Sequence, residues 1–305
     1  MSSIIVVGSL NMDLVVRASR LPQVGETVLG TAFDTIPGGK GANQAVAAAR
    51  LGGRVAMVGR VGQDGYGQTL VDNLRQNGVD VSHVAVDQEA ATGVALIAVG
   101  SGGENQIIVY PGANGRVQPA DVDAAGPWLQ PGSVLVCQFE IPVDTVAHAL
   151  QKARAQGVIT VLNPAPALDQ VGPWIASTDY IVPNETEAAR LTGQPVEDDA
   201  GVRQAARTLR EMGAGHVVIT LGQRGAYWLG PDGEGHVPAF PVQAVDTTAA
   251  GDAFVGALAV ALTEGMALPD AVRFGCAAGA VAVTRFGAQP SLPARADVDA
   301  LLDRP

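Results

Sequence analysis

The fold class follows from residues 134–162, which read VLVCQFEIPVDTVAHALQKARAQGVITVL. The apolar run at 134–137 predicts a buried strand, residues 144–156 predict a helix, and the apolar run at 158–162 predicts the next strand. Strands that are separated by a helix of about ten residues pair in parallel, with the helix packed on the sheet. This stretch therefore predicts an α/β fold.

The same alternation continues on both sides of this stretch. Further strands are predicted at 4–7, 55–58, 180–182 and 217–220, and further helices at 41–50, 67–76, 185–191, 202–212 and 253–262. The pattern predicts a central, mostly parallel sheet with helices on both faces.

Two stretches, at about 12–36 and 92–110, show strand patterns without intervening helices. They predict a small β-sheet lid that is inserted into a single α/β domain spanning residues 1–305. An extension of the edge of the main sheet fits the same pattern equally well.

Composition and charge argue against several classes of protein. The 305 residues include 19 Lys and Arg against 30 Asp and Glu, which gives a formal charge of −11. Nucleic acids and anionic membranes require a basic surface, so neither is an expected partner. No apolar stretch approaches the ~18 residues of a membrane helix, and no signal peptide is recognisable. We therefore expect a cytoplasmic protein in which Cys137 and Cys276 are reduced thiols.

Glycine is abundant, with 38 residues, but it does not form the familiar nucleotide-binding loops. Neither Gly-x-x-x-x-Gly-Lys-Ser/Thr nor Gly-x-Gly-x-x-Gly occurs. Any nucleotide site must therefore be of another type, and the glycines must serve turns and close backbone approaches.

The strongest candidate for a site is Asp246–Phe254, which reads DTTAAGDAF and precedes an apolar helix. Small residues at a helix start leave backbone N–H groups open to an anion. Asp252 is then either a general base beside that anion or a carboxylate that caps the helix.

Four other polar segments lie at predicted strand ends or helix starts, where ligands of parallel sheets bind. They are Asn11–Asp13, Gly38–Gln44, Asn184–Glu187 and Thr220–Gly225. The carboxylate and amide at 184–187 suit Mg²⁺ and phosphates, whereas a helix cap explains them equally well. A turn or a cap likewise remains an alternative for the others.

Taken in this order, the segments resemble the ribokinase (PfkB) family of carbohydrate kinases over essentially the whole chain. Residues 38–67 resemble the N-terminal signature of the family, and residues 246–254 resemble the C-terminal one. Residues 11–13, 39–43, 138–140 and 287–291 are most similar to members that phosphorylate ribose. The resemblance implies a ribokinase-like three-layer α/β/α fold, a β-lid that also forms a homodimer interface, and transfer of phosphate from ATP to the 5-hydroxyl of D-ribose.

The resemblance also implies a role for individual residues. Asp252 would be the base, and the anion hole for the phosphoryl group would consist of Ala249, Ala250 and Gly251. The sugar hydroxyls would be bound by Asn11, Asp13, Gly39, Lys40, Asn43 and Glu140. ATP would be bound by Asn184, Thr220, Gly222, Gly225 and Gly251, with Glu187 helping to place Mg²⁺. A monovalent cation, K⁺, would be bound by Asp246, Thr248, Ala282, Arg285, Gly287 and Ser291. Cys276 departs from the family, because a polar side chain is expected there beside the adenosine.

Two alternatives to a ribose kinase remain at this stage. A related kinase could act on deoxyribose, fructose or a nucleoside. A sugar or nucleotide sensor without catalytic activity is the other possibility, although the intact Gly251–Asp252 pair and Lys40 argue against it.

Overall fold

The structure is a computed structural model that describes residues 2–169 and 171–304. The predicted domain also includes residues 1, 170 and 305, which lie outside the described part. Thirteen strands are described: β1 (Ile4–Val7), β2 (Asn11–Ala18), β3 (Gly30–Gly38), β4 (Val55–Gly62), β5 (Asp80–Asp87), β6 (Gly93–Val99), β7 (Asn105–Tyr110), β8 (Val134–Cys137), β9 (Ile159–Leu162), β10 (Tyr180–Ile181), β11 (His216–Thr220), β12 (Ala226–Gly230) and β13 (Gly233–Val237).

Nine of these strands form the main sheet, in the order β13-β12-β11-β10-β9-β8-β1-β4-β5. Every neighbouring pair from β11 to β5 is parallel. The two pairs at the other edge, β11 with β12 and β12 with β13, are antiparallel. The prediction of a mostly parallel sheet is therefore confirmed.

Helices cover both faces of this sheet. They are α1 (Lys40–Arg50), α2 (Gly65–Gln76), α3 (Pro119–Ala124), α4 (Val143–Ala155), α5 (Glu185–Thr192), α6 (Asp199–Glu211), α7 (Ala250–Thr263), α8 (Leu268–Ala282) and α9 (Arg295–Leu302). Alternate residues of β1 belong to different cores: Ile4 and Val6 pack with α1, α7 and α8, whereas Ile5 and Val7 pack with α4 and α6. Three layers, α/β/α, result, as predicted.

The remaining four strands form a second sheet of their own, in the order β3-β2-β6-β7. An extension of the main sheet, the alternative for 12–36 and 92–110, is therefore wrong. In the second sheet β2 and β6 pair in parallel, and β6 and β7 form an antiparallel hairpin.

Ala244 and Val245, before the segment 246–254, have the composition of a strand end, but the backbone there is irregular. The N–H of Val245 donates 2.7 Å to the carbonyl of Val283 after the end of α8, so a helix terminus takes the place of a neighbouring strand. The helix that follows begins at Ala250, three residues before the predicted start at Ala253. The prediction missed this first turn because Ala-Gly-Asp shows no apolar periodicity.

No helix in the described part of the chain is long and apolar enough to span a bilayer.

Candidate active site

The site lies where the chain passes between the two sheets. Asn11 is the first residue of β2, β3 returns to end at Gly38, and α1 starts at Lys40. Gly39 has a φ of 87°, and a Cβ there would lie 2.7 Å from the backbone nitrogen of Asn11. Glycine is thus required at residue 39, both for its conformation and for the close approach of the two segments.

Asp252 lies in the first turn of α7 and is 6% exposed. Each carboxylate oxygen accepts one amide hydrogen bond: Oδ2 from Asn43 Nδ2 at 2.9 Å and Oδ1 from Gln44 Nε2 at 2.9 Å. Burial raises the pKa of Asp252, and the charge of Lys40 together with these two bonds offsets this rise only in part. The carboxylate is therefore a better proton acceptor than an exposed aspartate.

The start of α7 provides a place for an anion next to this carboxylate. Ala249 precedes the helix with a φ of 59°, the one positive φ at a non-glycine residue in the described segments. Apart from its chain neighbours and the backbone of its own helix, nothing lies within 4 Å of the position that a Cβ on Gly251 would take. The N–H groups of a first helical turn have no acceptor within the helix, and the helix dipole favours negative charge there. Ala249, Ala250 and Gly251, the predicted anion hole, therefore lie at an open helix start, and their role stays a prediction.

Glu140 links the polar side chains at the start of α1. Its Oε2 accepts hydrogen bonds from Ser9 Oγ at 2.5 Å, from the backbone N–H of Lys40 at 3.0 Å and from Asn11 Nδ2 at 3.5 Å. Asn11 in turn accepts a bond from Asn114 Nδ2 at 2.7 Å. Of the predicted sugar-binding residues, Asn11 and Lys40 are therefore joined through Glu140, whereas Asn43 is bonded to Asp252.

Acidic side chains outnumber basic ones around the predicted sugar-binding residues. Burial, followed by the charges of Glu140 and Asp252, raises the pKa of Asp13 to about 7. Burial alone would lower the pKa of Lys40, but the carboxylates of Asp252, Glu140 and Glu187 raise it above its ordinary value. Lys40 is therefore charged and attracts the surrounding carboxylates.

A cavity of about 950 Å³ extends from Lys40 and Asp252 past the carboxyl ends of β9, β10 and β11. All the predicted ATP-binding residues line it: Asn184, Thr220, Gly222, Gly225 and Gly251. Its far end is apolar and is lined by Phe240, Val242, Cys276, Ala280 and Val283. Burial raises the pKa of the Cys276 thiol to about 12, so the sulfur is uncharged at neutral pH.

Asn184 and Glu187 cap α5. Asn184 Oδ1 accepts from the N–H of Glu187 at 2.8 Å, and Glu187 Oε2 accepts from the N–H of Asn184 at 2.9 Å. The structural alternative is therefore confirmed for this pair. Both residues also line the cavity, and burial raises the pKa of Glu187.

Apart from Ala282, the last residue of α8, the residues predicted to bind K⁺ lie in two segments, 246–248 and 285–291. Hydrogen bonds of Asp246 join these two segments. Its Oδ1 accepts from the N–H and the hydroxyl of Thr248, and its Oδ2 accepts from the N–H of Gly287 at 2.9 Å. Ser291 donates to the carbonyl of Ala288. The Arg285 guanidinium instead donates to Asp297 on α9, and the N–H of Arg285 donates to the carbonyl of Ala282. Oxygen donors of these loops suit a hard monovalent cation, although Asp246 already accepts three hydrogen bonds.

Several side chains of the site had no role in the sequence analysis: Ser9, Gln44, Asn114, Gln138 and Asn163 contact the predicted residues directly or through one another. Gln44 and Gln138 lie within the polar segment 38–44 and the segment 138–140 of the family resemblance, but the sequence indicated no individual role for either. The others lie in segments that are distant in sequence, so that only the fold brings them together.

Comparisons with known proteins agree with this geometry. A model of the pfkB family of carbohydrate kinases matches residues 1–295. The chain is 41% identical over 302 residues to a ribokinase of Bacillus subtilis (strain 168), covering 99% of this chain and 100% of that protein. It is 39% identical over 291 residues to a deoxyribokinase of Salmonella typhi, covering 95% of each. The structure of an Arabidopsis thaliana ribokinase complexed with ribose and ATP is similar along the full length of both chains, with a TM-score of 0.91 and 33% identity.

Proposed function

The chain belongs to the pfkB family of carbohydrate kinases, and from this premise we propose that it transfers the γ-phosphoryl group of ATP to the 5-hydroxyl of D-ribose. One observation carries this proposal: the buried carboxylate of Asp252 lies between the sugar-binding group and the nucleotide cavity, beside the open start of α7. This is the arrangement that an alcohol attacking a phosphate requires.

In the proposed reaction, Asp252 accepts the proton of the 5-hydroxyl while the hydroxyl oxygen attacks the γ-phosphorus. The bond from that phosphorus to the β–γ bridging oxygen breaks, and ADP leaves. Negative charge on the transferred group is stabilised by the N–H groups at the start of α7 and by Lys40. Asn11, Asp13, Gly39, Asn43 and Glu140 orient the sugar so that a single hydroxyl faces Asp252.

Asn184 and Glu187 are the residues that would bind Mg²⁺, which neutralises phosphate charge when present. Their oxygens line the cavity beside the proposed triphosphate position, which fits a hydrated Mg²⁺ ion. The absence of a cluster of three or more His, Cys, Asp or Glu among the described residues agrees with a metal that is bound mainly through phosphates and water.

K⁺ would be bound by the loops around Asp246 and Ser291 and would support the start of α7 electrostatically. We expect activity in KCl to exceed activity in a salt of a large organic cation at equal ionic strength. Equal rates in the two salts would contradict the proposed site.

Deoxyribose is the second candidate substrate, because the deoxyribokinase relative is nearly as similar as the ribokinase. The two sugars differ only in the 2-hydroxyl, so hydrogen bonds from the predicted sugar-binding residues to that hydroxyl would decide between them. Fructose and nucleosides remain further alternatives. A sensor without activity is disfavoured by membership of a kinase family.

A coupled assay of ADP release with ribose, 2-deoxyribose, fructose and adenosine tests the proposal. We expect ribose to have the highest kcat/KM. A higher value for 2-deoxyribose would replace the substrate and keep the chemistry, whereas no sugar-dependent ADP release would overturn the function.

We also propose a homodimer that forms through the second sheet. The strand registers place Val16, Phe33, Leu96, Ile108 and Tyr110 on one face of that sheet, and all five are substantially exposed. An apolar face of this kind is typical of an interface, and a second copy would cover it symmetrically. Light scattering of the protein and of an Ile108→Asp variant would test this, with a monomeric wild-type protein as the contradicting result.

We place the protein in the cytoplasm, where ATP is available and where the unpaired thiols of Cys137 and Cys276 stay reduced.

A further inference from the structure

A row of buried side-chain amides adjoins Asp252, and its member Asn163 also lines the cavity. Gln44 and Gln138 are fully buried, and Asn163 is nearly so. Burying an amide is costly unless its donor and acceptor atoms are paired. Gln44 interrupts a helix that is otherwise rich in alanine, so a smaller apolar residue would be expected if packing alone mattered.

Hydrogen bonds join these amides into a chain. Gln138 Nε2 donates to Gln44 Oε1 at 2.6 Å. Gln44 Nε2 donates to Asp252 Oδ1 at 2.9 Å and to Asn163 Oδ1 at 3.1 Å. Asn163 Nδ2 donates to the backbone carbonyl of Val182 at 3.0 Å.

The orientation of each amide follows from the last of these bonds. The Val182 carbonyl can only accept, so Asn163 must turn its NH₂ group toward it and its oxygen toward Gln44. Gln44 must then present its NH₂ group to that oxygen, and the same group reaches Asp252. Gln138 reinforces this orientation by donating to the Gln44 oxygen.

The two amides on Asp252 differ in their surroundings. Asn43, on Oδ2, is assigned to the sugar, and its own Oδ1 has no partner in the structure, which leaves that oxygen available to a ligand. Gln44, on Oδ1, is fully buried and has both of its polar atoms paired within the protein. Only the contact from Gln44 is therefore independent of whether a sugar is bound.

We propose that Gln44 is a positioning residue for phosphoryl transfer, which fixes the plane of the Asp252 carboxylate through Oδ1 while Gln138 and Asn163 fix the orientation of the Gln44 amide. This inference rests on the proposed role of Asp252 as the base. Gln44 does not touch the substrate, and it acts by keeping one carboxylate oxygen aimed at the attacking hydroxyl.

The test replaces Gln44 by methionine, which keeps the length of the side chain and removes the donor. We expect kcat to fall by about 10- to 100-fold, because a hydrogen bond to a charged group is lost. The affinities for sugar and ATP, measured by calorimetry, stay close to those of the wild-type protein.

The pH dependence of kcat separates positioning from a merely structural role. Loss of a donor to the carboxylate raises the pKa of the base, so the acidic limb of the profile moves upward by about one pH unit. The other charged groups that face Asp252 are Lys40, Glu140, Asp13 and Glu187, and this variant leaves all four in place.

Gln138→Met is the second variant, and it leaves the bond between Gln44 and Asp252 itself intact. We expect a smaller loss of kcat and a smaller shift in the same direction. Gln194→Met, in a half-buried glutamine between α5 and α6 that bonds only to Thr208, is the matched control and should change neither.

An unmoved acidic limb in a folded Gln44→Met protein would overturn the proposal, and so would an equal loss of sugar and ATP affinity. If Gln44→Met does not fold, Gln138→Met decides, and a wild-type profile in that variant counts against the proposal. Failure of the proposed function would be recognised separately, because the wild-type protein would then show no sugar-dependent release of ADP. Failure of Asp252 as the base would be recognised because Asp252→Asn would retain transfer.

Discussion

The sugar end and the nucleotide end of the site are built in opposite ways. At the sugar end, Asn11, Lys40, Glu140 and Asp252 are buried or half-buried and bonded to one another or to neighbouring amides. At the nucleotide end, the cavity is wide, and its far wall consists of apolar side chains around Cys276.

This difference indicates where discrimination between substrates takes place. A site with paired polar groups rejects a ligand that leaves one of them unsatisfied, whereas an apolar wall discriminates weakly. We therefore expect substitutions at the sugar end to have large and specific effects, and substitutions at the far wall to have small ones.

Asp252→Asn should give the largest effect. The amide cannot accept the proton, so kcat should fall by about 10³-fold or more, while sugar binding measured by calorimetry persists. Asp270→Asn is the matched control, because Asp270 holds the same position in the first turn of α8 and is exposed. Wild-type turnover in Asp252→Asn would remove the base from the mechanism.

Asp13→Asn should have opposite effects on the stability of the protein and on its affinity for the sugar. The folded protein raises the pKa of Asp13 from 3.8 to about 7, so its contribution to stability is complete below about pH 4 and is lost as the pH rises through 7. Above that pH the buried charge is destabilising, and the asparagine variant should unfold at a temperature a few degrees higher than the wild type. The gain should vanish in acid, and sugar affinity should fall by at least ~10-fold.

Thermal unfolding at several pH values checks this expectation. Asp34→Asn is the control, since Asp34 is an exposed acid of the same sheet, 3.9 Å from Arg17. A wild-type unfolding temperature for Asp13→Asn at alkaline pH would show that the charge at residue 13 is not destabilising.

Cys276→Ala should give the smallest effect. The neutral thiol contributes apolar surface to the far wall, so KM for ATP should rise by no more than about 3-fold, with no change in KM for the sugar. Steady-state kinetics beside a Cys137→Ala control measure this. A loss of ATP affinity above tenfold would mean that the sulfur makes a specific contact with the base.

The contrast between the two ends also explains how far the sequence could predict the site. The residues with assigned roles lie in short local segments, such as 246–254, where helix-start chemistry is visible in the order of the residues. Gln138 and Asn163 follow different strands, and their relation to Gln44 depends on how β8 and β9 pair. Such contacts are long-range and leave no local pattern.

The strands also differ in how well the sequence predicts them. Strands β1, β8, β9 and β11 are apolar and were predicted within one residue of their bounds. The hairpin of β12 and β13 has no clear apolar alternation, because β12 is a short apolar run that ends in glycine and β13 is rich in glycine and polar residues, so it escaped prediction. The segment at 244–245 has a strand-like composition, yet its hydrogen bonds are made to the end of a helix.

Strand β2 serves two surfaces at once. Asp13 faces the sugar-binding group, and Val16, three residues further along, lies on the opposite, apolar face that we assign to a second copy. If contact with that copy ordered the strand, dimerisation would increase the affinity for the sugar. Thermodynamic reciprocity would then require the sugar to increase the affinity of the dimer by the same factor. The apparent affinity for sugar would then decrease when the protein is diluted.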